Sequence, residues 1–375
     1  MLSVIAHLNS LKFVVPALAM MGSTPQYTAL YTGWRCMASL LPYRWSQAVE
    51  DGLMGIYQRL VEFFFENYSG VEVILYGDVD TLDHPENVIY ICNHQSTMDW
   101  VIADMMAIRG GRLGNLRFIL KDGLKYFPLF GYVLGTHGGV YVKRAKNFDD
   151  NNEKYFKRKL EYLRKNQIPT WMAIFPEGTR YDPSNVDLIK ASQAFAFKNG
   201  LAVTHHVLSP RVKAVNMCIQ GLRGHTDAVY DVTIAYSNTG EERVMDKHVE
   251  RRPAPGMPEF LQGKCPQLHI HLRRIAMETI PEDEESCHRW LHELFEEKDN
   301  MLTDFYSDDP DKRGHLEGEG HRSKLGLLST LPAVVFSCAL AVPIFATSCG
   351  RQAYWKMWLF GSIAGITWMK LTTRK

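Results

Sequence analysis

The sequence predicts an α/β fold, a mixed sheet flanked by helices, with a membrane-length apolar segment near each end. Three observations predict it. Through the middle of the chain, short apolar runs bounded by turn residues alternate with stretches of helical periodicity, the pattern of a sheet covered by helices. Of the 375 residues, 46% are hydrophobic, enough to bury a sizeable core. The long uncharged stretches are confined to the two ends.

The candidate strands follow in order: "VEVILYG" (71–77), "NVIYIC" (87–92), "LRFIL" (116–120), "GVYVKR" (139–144), "TWMAIF" (170–175), "LAVTHHVL" (201–208), "VKAVNMCI" (212–219) and "AVYDVTIAY" (228–236). Helices fill the intervals. Residues 151–167 place Tyr155, Phe156, Leu160 and Leu163 at helical spacing among charges, and "SQAFAFKNG" ends in Gly200, a natural C-terminal stop. Residues 281–305 carry Trp290, Leu291, Leu294, Phe295, Leu302 and Phe305 on one stripe with acids on the other, a surface helix packed on the sheet. Residues 238–257, with "RRPAPG", read as a flexible insertion, and 307–323 as a linker. The tract "RLVEFFFENY" (59–68) suits a membrane surface and a core helix equally.

Charge narrows the partners. The 42 basic and 41 acidic residues leave a formal net charge of +1, without the basic footprint of a nucleic-acid binder. Seven cysteines with no CxxC pair write neither a disulfide framework nor a zinc ribbon, and a reducing compartment is expected. His269 and His271 alternate in "LHIHL" and share one face of a strand, but no third ligand stands at suggestive spacing, so no metal is expected. His205 and His206 read as packing or surface residues. Asn67-Tyr68-Ser69 matches a glycosylation acceptor that a cytosolic domain would not use.

Residues 13–34 hold no Lys, Arg, Asp or Glu over 22 positions, close to the ~20 a spanning helix needs, although Pro16, Gly22 and Pro25 weaken the span. A signal peptide or a buried hairpin competes with that reading. At the other end, 325–350 and 357–369 are uncharged and separated by a turn with Arg351 and Lys356, which reads as a transmembrane hairpin whose second arm is short enough to be re-entrant. Arg322, Lys324, Lys370, Arg374 and Lys375 at its base place that base, and the domain before it, in the cytosol.

The chemistry concentrates in three strand-end stretches. In "CNHQSTMDW" (92–100), His94 and Asp99 are five positions apart, which is wrong for neighbours on a helix face. It suits a strand-to-helix corner: Val88 to Cys92 as the strand, Ser96 as N-cap, a helix starting near Thr97, and the His94 ring folded back on the Asp99 carboxylate. A carboxylate on one ring nitrogen fixes the tautomer and leaves the other as a base. A loop histidine beside a capping acid is also ordinary structure, and residue types alone leave both open. "FPEGTR" (175–180) follows a strand and offers Glu177, Gly178, Thr179 and Arg180 at its carboxyl end, where open α/β sheets place their sites. Arg180 suits phosphate because a guanidinium grips two oxygens at once. "GGVYVKR" (138–144) ends in Lys143 and Arg144.

Together these residues resemble the glycerolipid acyltransferases of the lysophosphatidate acyltransferase type. N-H-x4-D matches Asn93, His94 and Asp99; G-x-[FY]-x-x-R matches Gly139, Tyr141 and Arg144; F-P-E-G-T-R matches 175–180 letter for letter; the apolar run closing on proline fits "HHVLSP", ending at Pro210. Lys143 stands where related enzymes often carry an acid. "FFFENYSGVEVILYGD", "KDGLKYFPLFG" and the terminal hairpin extend the resemblance to the epsilon type of this family over nearly the whole chain.

The resemblance implies a membrane-bound enzyme that moves an acyl group from acyl-CoA to the sn-2 hydroxyl of lysophosphatidic acid, giving phosphatidic acid, with no cofactor beyond the co-substrate. It implies His94 as base and Asp99 as its orienter. Gly139, Tyr141, Arg144, Glu177, Gly178, Thr179 and Arg180 are then acceptor-binding, with Pro210 near the acyl donor. The domains it implies are an anchor with an interfacial helix (1–68), an acyltransferase domain (69–306), a linker (307–324) and a transmembrane hairpin (325–375). The expected setting is the endoplasmic reticulum, nuclear envelope or outer mitochondrial membrane. Another lysophospholipid acceptor, such as lysocardiolipin, and a non-catalytic lipid-binding scaffold remain as alternatives.

Overall fold

The computed structural model describes residues 2–38, 40–143, 149–240, 242–244, 247–249 and 251–373, with backbone alone at 2–10, 43–44, 242–244 and 247–249. Among the described residues ten strands occur in chain order: β1 (Glu72–Gly77), β2 (Val88–Cys92), β3 (Leu116–Lys121), β4 (Val140–Val142), β5 (Trp171–Ile174), β6 (Ala228–Tyr236), β7 (Glu242–Val244), β8 (Lys247–Val249), β9 (Gln267–Ala276) and β10 (His321–Ser323). The chain forms two compact units. One holds Met1–Tyr68, Asp104–Met172 and Leu325–Lys375, and the other Ser69–Ala103 and Ala173–Lys324, so the 69–306 block of the sequence is shared between them.

In the second unit, β1 runs antiparallel to β10 and parallel to β9, β9 antiparallel to β6, and β6 parallel to β2. The sheet is therefore mixed, as the sequence predicts. Every residue of β2 and of β6 is buried, which is why both read as continuous apolar runs rather than alternating ones. Cys92, the carboxyl end of β2, lies opposite Val232, so β6 runs four residues further, to Tyr236, beside the chain that leaves β2. Asp231 in β6 is matched by Lys298 of the Glu284–Phe305 helix, a pair sealed from solvent on both sides, whose Nζ also donates to the Val232 carbonyl at 2.6 Å.

Two of the expected strands are not strands. Residues 212–219 lie in the helix Val212–Leu222, whose buried face is Val215, Cys218, Ile219 and Leu222; that spacing of three and four is helical, and the apolar run alone hid it. Residues 201–208 are irregular, because the N–H groups of His205, His206 and Val207 donate to the Asp299 carboxylate instead of to a neighbouring strand. The "linker" 307–323 is part of the fold, since β10 adds to the sheet edge and Leu316 is buried. Within the supposed insertion, β7 and β8 form a hairpin and residues 251–256 are described in full.

The first unit contains the helices Leu2–Gly22, Thr24–Ala38 and Tyr43–Glu62, the last continuing through Phe63–Tyr68. Leu60, Val61, Phe64 and Phe65 are buried within it, which decides the 59–68 tract as core helix. The expected span 13–34 is broken at Ser23, where one helix ends and another begins. Among the described residues no single helix is long and apolar enough to cross a membrane; Leu331–Ala346 and Ser348–Thr372, bent by 109° at their junction, pass that test only as a pair. Asn67 donates to the Leu325 carbonyl and accepts from Thr330, so its amide is engaged in folding.

Gly77, the last residue of β1, has φ +77°, and a Cβ there would sit 2.3 Å from the Leu272 carbonyl oxygen. No L side chain fits that approach. Gly77→Ala is expected to lower the stability of this unit by at least about 1–3 kcal/mol, read by thermal or denaturant unfolding; an unchanged midpoint would contradict the close approach.

Candidate active site

The site is built where β2 ends. Asn93 faces β6, where its side chain accepts from Ile234 N at 2.8 Å and donates to Ile234 O at 3.0 Å, fixing the direction in which the chain leaves the sheet. The next five residues turn, and the helix Asp99–Arg109 begins at Asp99 rather than near Thr97. Ser96 Oγ does accept at this turn, from Met98 N at 3.0 Å, but Asp99 itself carries most of the corner. Its Oδ2 accepts from Gln95 N at 2.7 Å, Ser96 N at 2.9 Å and His94 Nδ1 at 2.7 Å, and its Oδ1 accepts from Tyr236 OH at 2.5 Å.

The bond to His94 decides that ring's chemistry. Asp99 is buried and acts as acceptor, so Nδ1 is the ring's donor and Nε2 is left with a lone pair. Among the described residues nothing bonds Nε2, and the ring keeps 24% of its surface exposed while packing on Phe175 at 4.8 Å. An oriented imidazole with a free, accessible Nε2 can take a proton from an alcohol. Tyr236 was not legible in the sequence. It is the last residue of β6, paired in register beyond β2, and burial followed by the Asp99 charge pushes its phenol well up, so it stays a donor.

The "FPEGTR" corner meets this loop from the other side. Tyr181 N donates to the His94 carbonyl at 2.7 Å. Glu177 is 2% exposed, and its two oxygens accept from His94 N at 2.5 Å and Leu208 N at 2.9 Å. Burial pushes this carboxyl up to about 8, against the pull of the two N–H groups. Gly178, at φ +66°, lies over Arg211, which a Cβ would approach at 3.1 Å. Arg180 is exposed and lines a cleft of about 250 Å³ with Thr179, Gln95, Ser96, Thr97, Asp182 and the 253–256 segment.

Comparison with known proteins places the geometry in a family. An acyltransferase model matches residues 74–237, and an acyltransferase C-terminus model matches 259–337. The mouse 1-acyl-sn-glycerol-3-phosphate acyltransferase epsilon is 43% identical over 98% of this chain and 98% of its own. The chain belongs to the 1-acyl-sn-glycerol-3-phosphate acyltransferase family. An Arabidopsis thaliana protein described as a probable 1-acyl-sn-glycerol-3-phosphate acyltransferase 5 is 31% identical over 84% of this chain and 76% of its own, and the chicken lysocardiolipin acyltransferase 1 is 27% identical over 86% and 76%. A solved acyltransferase from Thermotoga maritima aligns over 80% of this chain and all of its own at 17% identity, with a TM-score of 0.43.

Against that family pattern the structure sorts the expected residues. His94, Asp99, Glu177, Gly178, Thr179, Arg180 and Pro210 all belong to the second unit. Of these, Glu177 is an internal strut and not a surface contact, and Pro210 is buried one residue before Arg211 N donates to the Pro176 carbonyl. Gly139 and Tyr141 belong to the first unit. Gly139 is buried, its missing Cβ giving room to the Leu134 carbonyl at 2.7 Å, and the Tyr141 hydroxyl is committed to the Gly131 carbonyl at 2.8 Å. Arg144 lies outside the described residues. Among the described residues no cluster of metal-ligating side chains occurs; His269 Nδ1 is bonded instead to Tyr76 OH at 2.8 Å.

Two outcomes are expected. His94→Ala should cut turnover by about 10²–10⁴-fold with the fold intact. Asp99→Asn should cost nearly as much, whereas Tyr236→Phe removes one of four donors and should cost about tenfold. A His94→Ala protein of undiminished rate in a steady-state assay refutes the base assignment. Glu177→Gln sets an amide NH₂ against a backbone N–H, and should destabilise the second unit by about 1–3 kcal/mol while lowering activity. Unfolding curves paired with activity measure both, and a silent Glu177→Gln would mean that the strut is dispensable.

Proposed function

We propose that this chain transfers a fatty acyl group from acyl-CoA to the sn-2 hydroxyl of 1-acyl-sn-glycerol 3-phosphate, giving phosphatidic acid and free coenzyme A. The observation that carries the reading is the His94–Asp99 pair, with Nδ1 held at 2.7 Å and Nε2 unengaged, one residue from a cleft that Arg180 lines. His94 takes the hydroxyl proton, the oxygen attacks the thioester carbonyl, and the C–S bond breaks to release a thiolate that takes the proton back from His94, giving free coenzyme A and the neutral base again. Arg180 grips the acceptor's phosphate, with Thr179 beside it; Arg144 is a second candidate from sequence alone.

The relatives are named for this acceptor in mouse and for lysocardiolipin in chicken, so the headgroup is the open choice within the class. A terminal phosphomonoester offers the dianion that an exposed guanidinium binds best. A lipid-binding scaffold would not require the oriented base. Acceptor and product are lipids, and the bent pair Leu331–Ala346 and Ser348–Thr372 is the segment proposed to enter the bilayer, as a broken span or a re-entrant loop. The proposed setting is the cytosolic face of the endoplasmic reticulum, nuclear envelope or outer mitochondrial membrane.

The test is acyl transfer by purified protein with a panel of lysolipid acceptors, joined to Arg180→Lys. That substitution keeps charge and loses the planar fork, so KM for lysophosphatidic acid is expected to rise about tenfold with a fall in kcat, and KM for acyl-CoA to move little. A rise confined to acyl-CoA would reassign Arg180 to the donor's phosphates.

A further inference from the structure

The stretch "RRPAPG" (251–256) reads in the sequence as part of a loose insertion, yet Pro253, Ala254 and Gly256 form a wall of the cleft opposite Thr179 and Arg180. Proline fixes φ but supplies no N–H, so such a strap must be tied down by other groups. Arg252 N donates to the Thr239 carbonyl at 3.0 Å, and Ser96 Oγ donates to the Pro255 carbonyl. The main tie is Arg251, which is 8% exposed. Its guanidinium carbon lies 3.9 Å from the Tyr306 ring centroid and 4.8 Å from that of Tyr181. Nη1 donates to His206 Nδ1 at 2.8 Å, and Nη2 donates to Gln95 Oε1 at 2.6 Å.

This is a costly way to hold a strap. Among the described residues Arg251 forms no ion pair, and its Nε is buried without a hydrogen-bond partner. A buried charge with no counter-ion is destabilising, and an apolar side chain of the same volume would anchor the strap at lower cost. The contacts point elsewhere. Gln95 follows His94, its own N–H donates to Asp99 at 2.7 Å, and its Nε2 donates to the Ile234 carbonyl at 2.9 Å, so Arg251 holds the remaining polar atom of a residue inside the catalytic corner. Tyr181 is the residue whose N–H bonds the His94 carbonyl. His206 lies in the loop whose Leu208 N–H bonds Glu177; burial, then the Arg251 charge, push its ring down to about 3, so it stays a neutral acceptor.

We propose that Arg251 is a positioning residue for the transfer: seated between Tyr181 and Tyr306 and bonded to Gln95 and His206, it draws the 251–256 strap against the His94 loop and so builds the wall that receives the acceptor's phosphate headgroup. The inference rests on the acyl-transfer reading above. Its strongest consequence is directional. A loosened strap degrades the acceptor side of the cleft and the aim of the hydroxyl toward His94, and leaves the acyl-CoA side unaffected.

The test uses the full-length protein, with turnover of lysophosphatidic acid by wild type established first. Should wild type turn over a different lysolipid only, the acceptor reading fails, and the Arg251 proposal is scored with that lysolipid. Arg251→Met is expected to raise the acceptor KM at least about tenfold and lower kcat, with acyl-CoA KM within about twofold of wild type. Arg251→Lys, which retains the charge but loses the planar stacking and the two-directional fork, should fall between. Gln95→Leu should produce the same acceptor-side change, and the double variant Gln95→Leu/Arg251→Met should be no worse than the poorer single one, because both break one link. A merely structural arginine would lower the melting temperature and the active fraction while leaving both KM values in place. That result, additive losses in the double variant, or an effect confined to acyl-CoA would each overturn the proposal. If Arg251→Met does not fold, the Arg251→Lys and Gln95→Leu pair decides by the same criteria.

Discussion

The site depends on one buried carboxyl group. Glu177 joins the N–H of His94 to the N–H of Leu208, 31 positions further along the chain than itself, and Tyr181 and Arg251 tie the same two loops beside it. Two backbone donors cannot be left unpaired in a place that is 2% exposed, so Glu177 holds the loop after β2 and the loop before Pro210 to one geometry. The motif "FPEGTR" therefore serves two ends. Its acid faces inward and sets the frame, and its arginine faces outward to the cleft.

The same device recurs around the site. Asp99 gathers two backbone N–H groups, an imidazole and a phenol; Asp299 gathers the N–H groups of residues 205 to 207; among the described residues neither is paired with a lysine or arginine. Backbone donors stabilise these carboxylates without placing a competing cation in the cleft. Arg180, exposed at the rim of the cleft, forms no ion pair among the described residues, whereas Arg251 is buried behind the strap and bonded to Gln95 and His206. By contrast, Lys298, fully buried on the helix that packs on the sheet, is spent on Asp231, the Val232 carbonyl and the Thr233 hydroxyl.

The legible parts of this protein were those where local pattern and burial agree. β2 and β6 are buried throughout and emerge almost residue for residue; the strand-to-helix corner follows from a five-residue spacing that no helix face can satisfy. The misread parts are those where long-range partners override local preference. Residues 201–208 have strand-like composition, but a carboxylate from a helix 92 to 94 positions away takes their N–H groups. Tyr236 and Gln95 carry no motif signature, because their roles arise from register with β2 and from a contact 156 positions distant. Glu177 and Tyr141 match family motifs and were expected at the substrate, yet burial directs both inward: a motif fixes identity and not the direction a side chain faces.

The arrangement also bears on whether an acyl-enzyme is formed. Such a route needs a hydroxyl or thiol that His94 can activate. Cys92 is two residues away, but it is fully buried, its thiol donates to Asn93 Oδ1, and burial pushes it well above the ordinary thiol range. The Ser96 hydroxyl donates to the Pro255 carbonyl and accepts from Met98 N, so its removal would open both the turn and the strap. Neither can serve as a nucleophile without dismantling what positions the base. A thioester already carries a good leaving group, so dividing the reaction into two steps would relieve no barrier that an oriented acceptor hydroxyl does not. These constraints support direct attack by the acceptor, with the protein supplying one proton acceptor, one anion grip and the walls that align them.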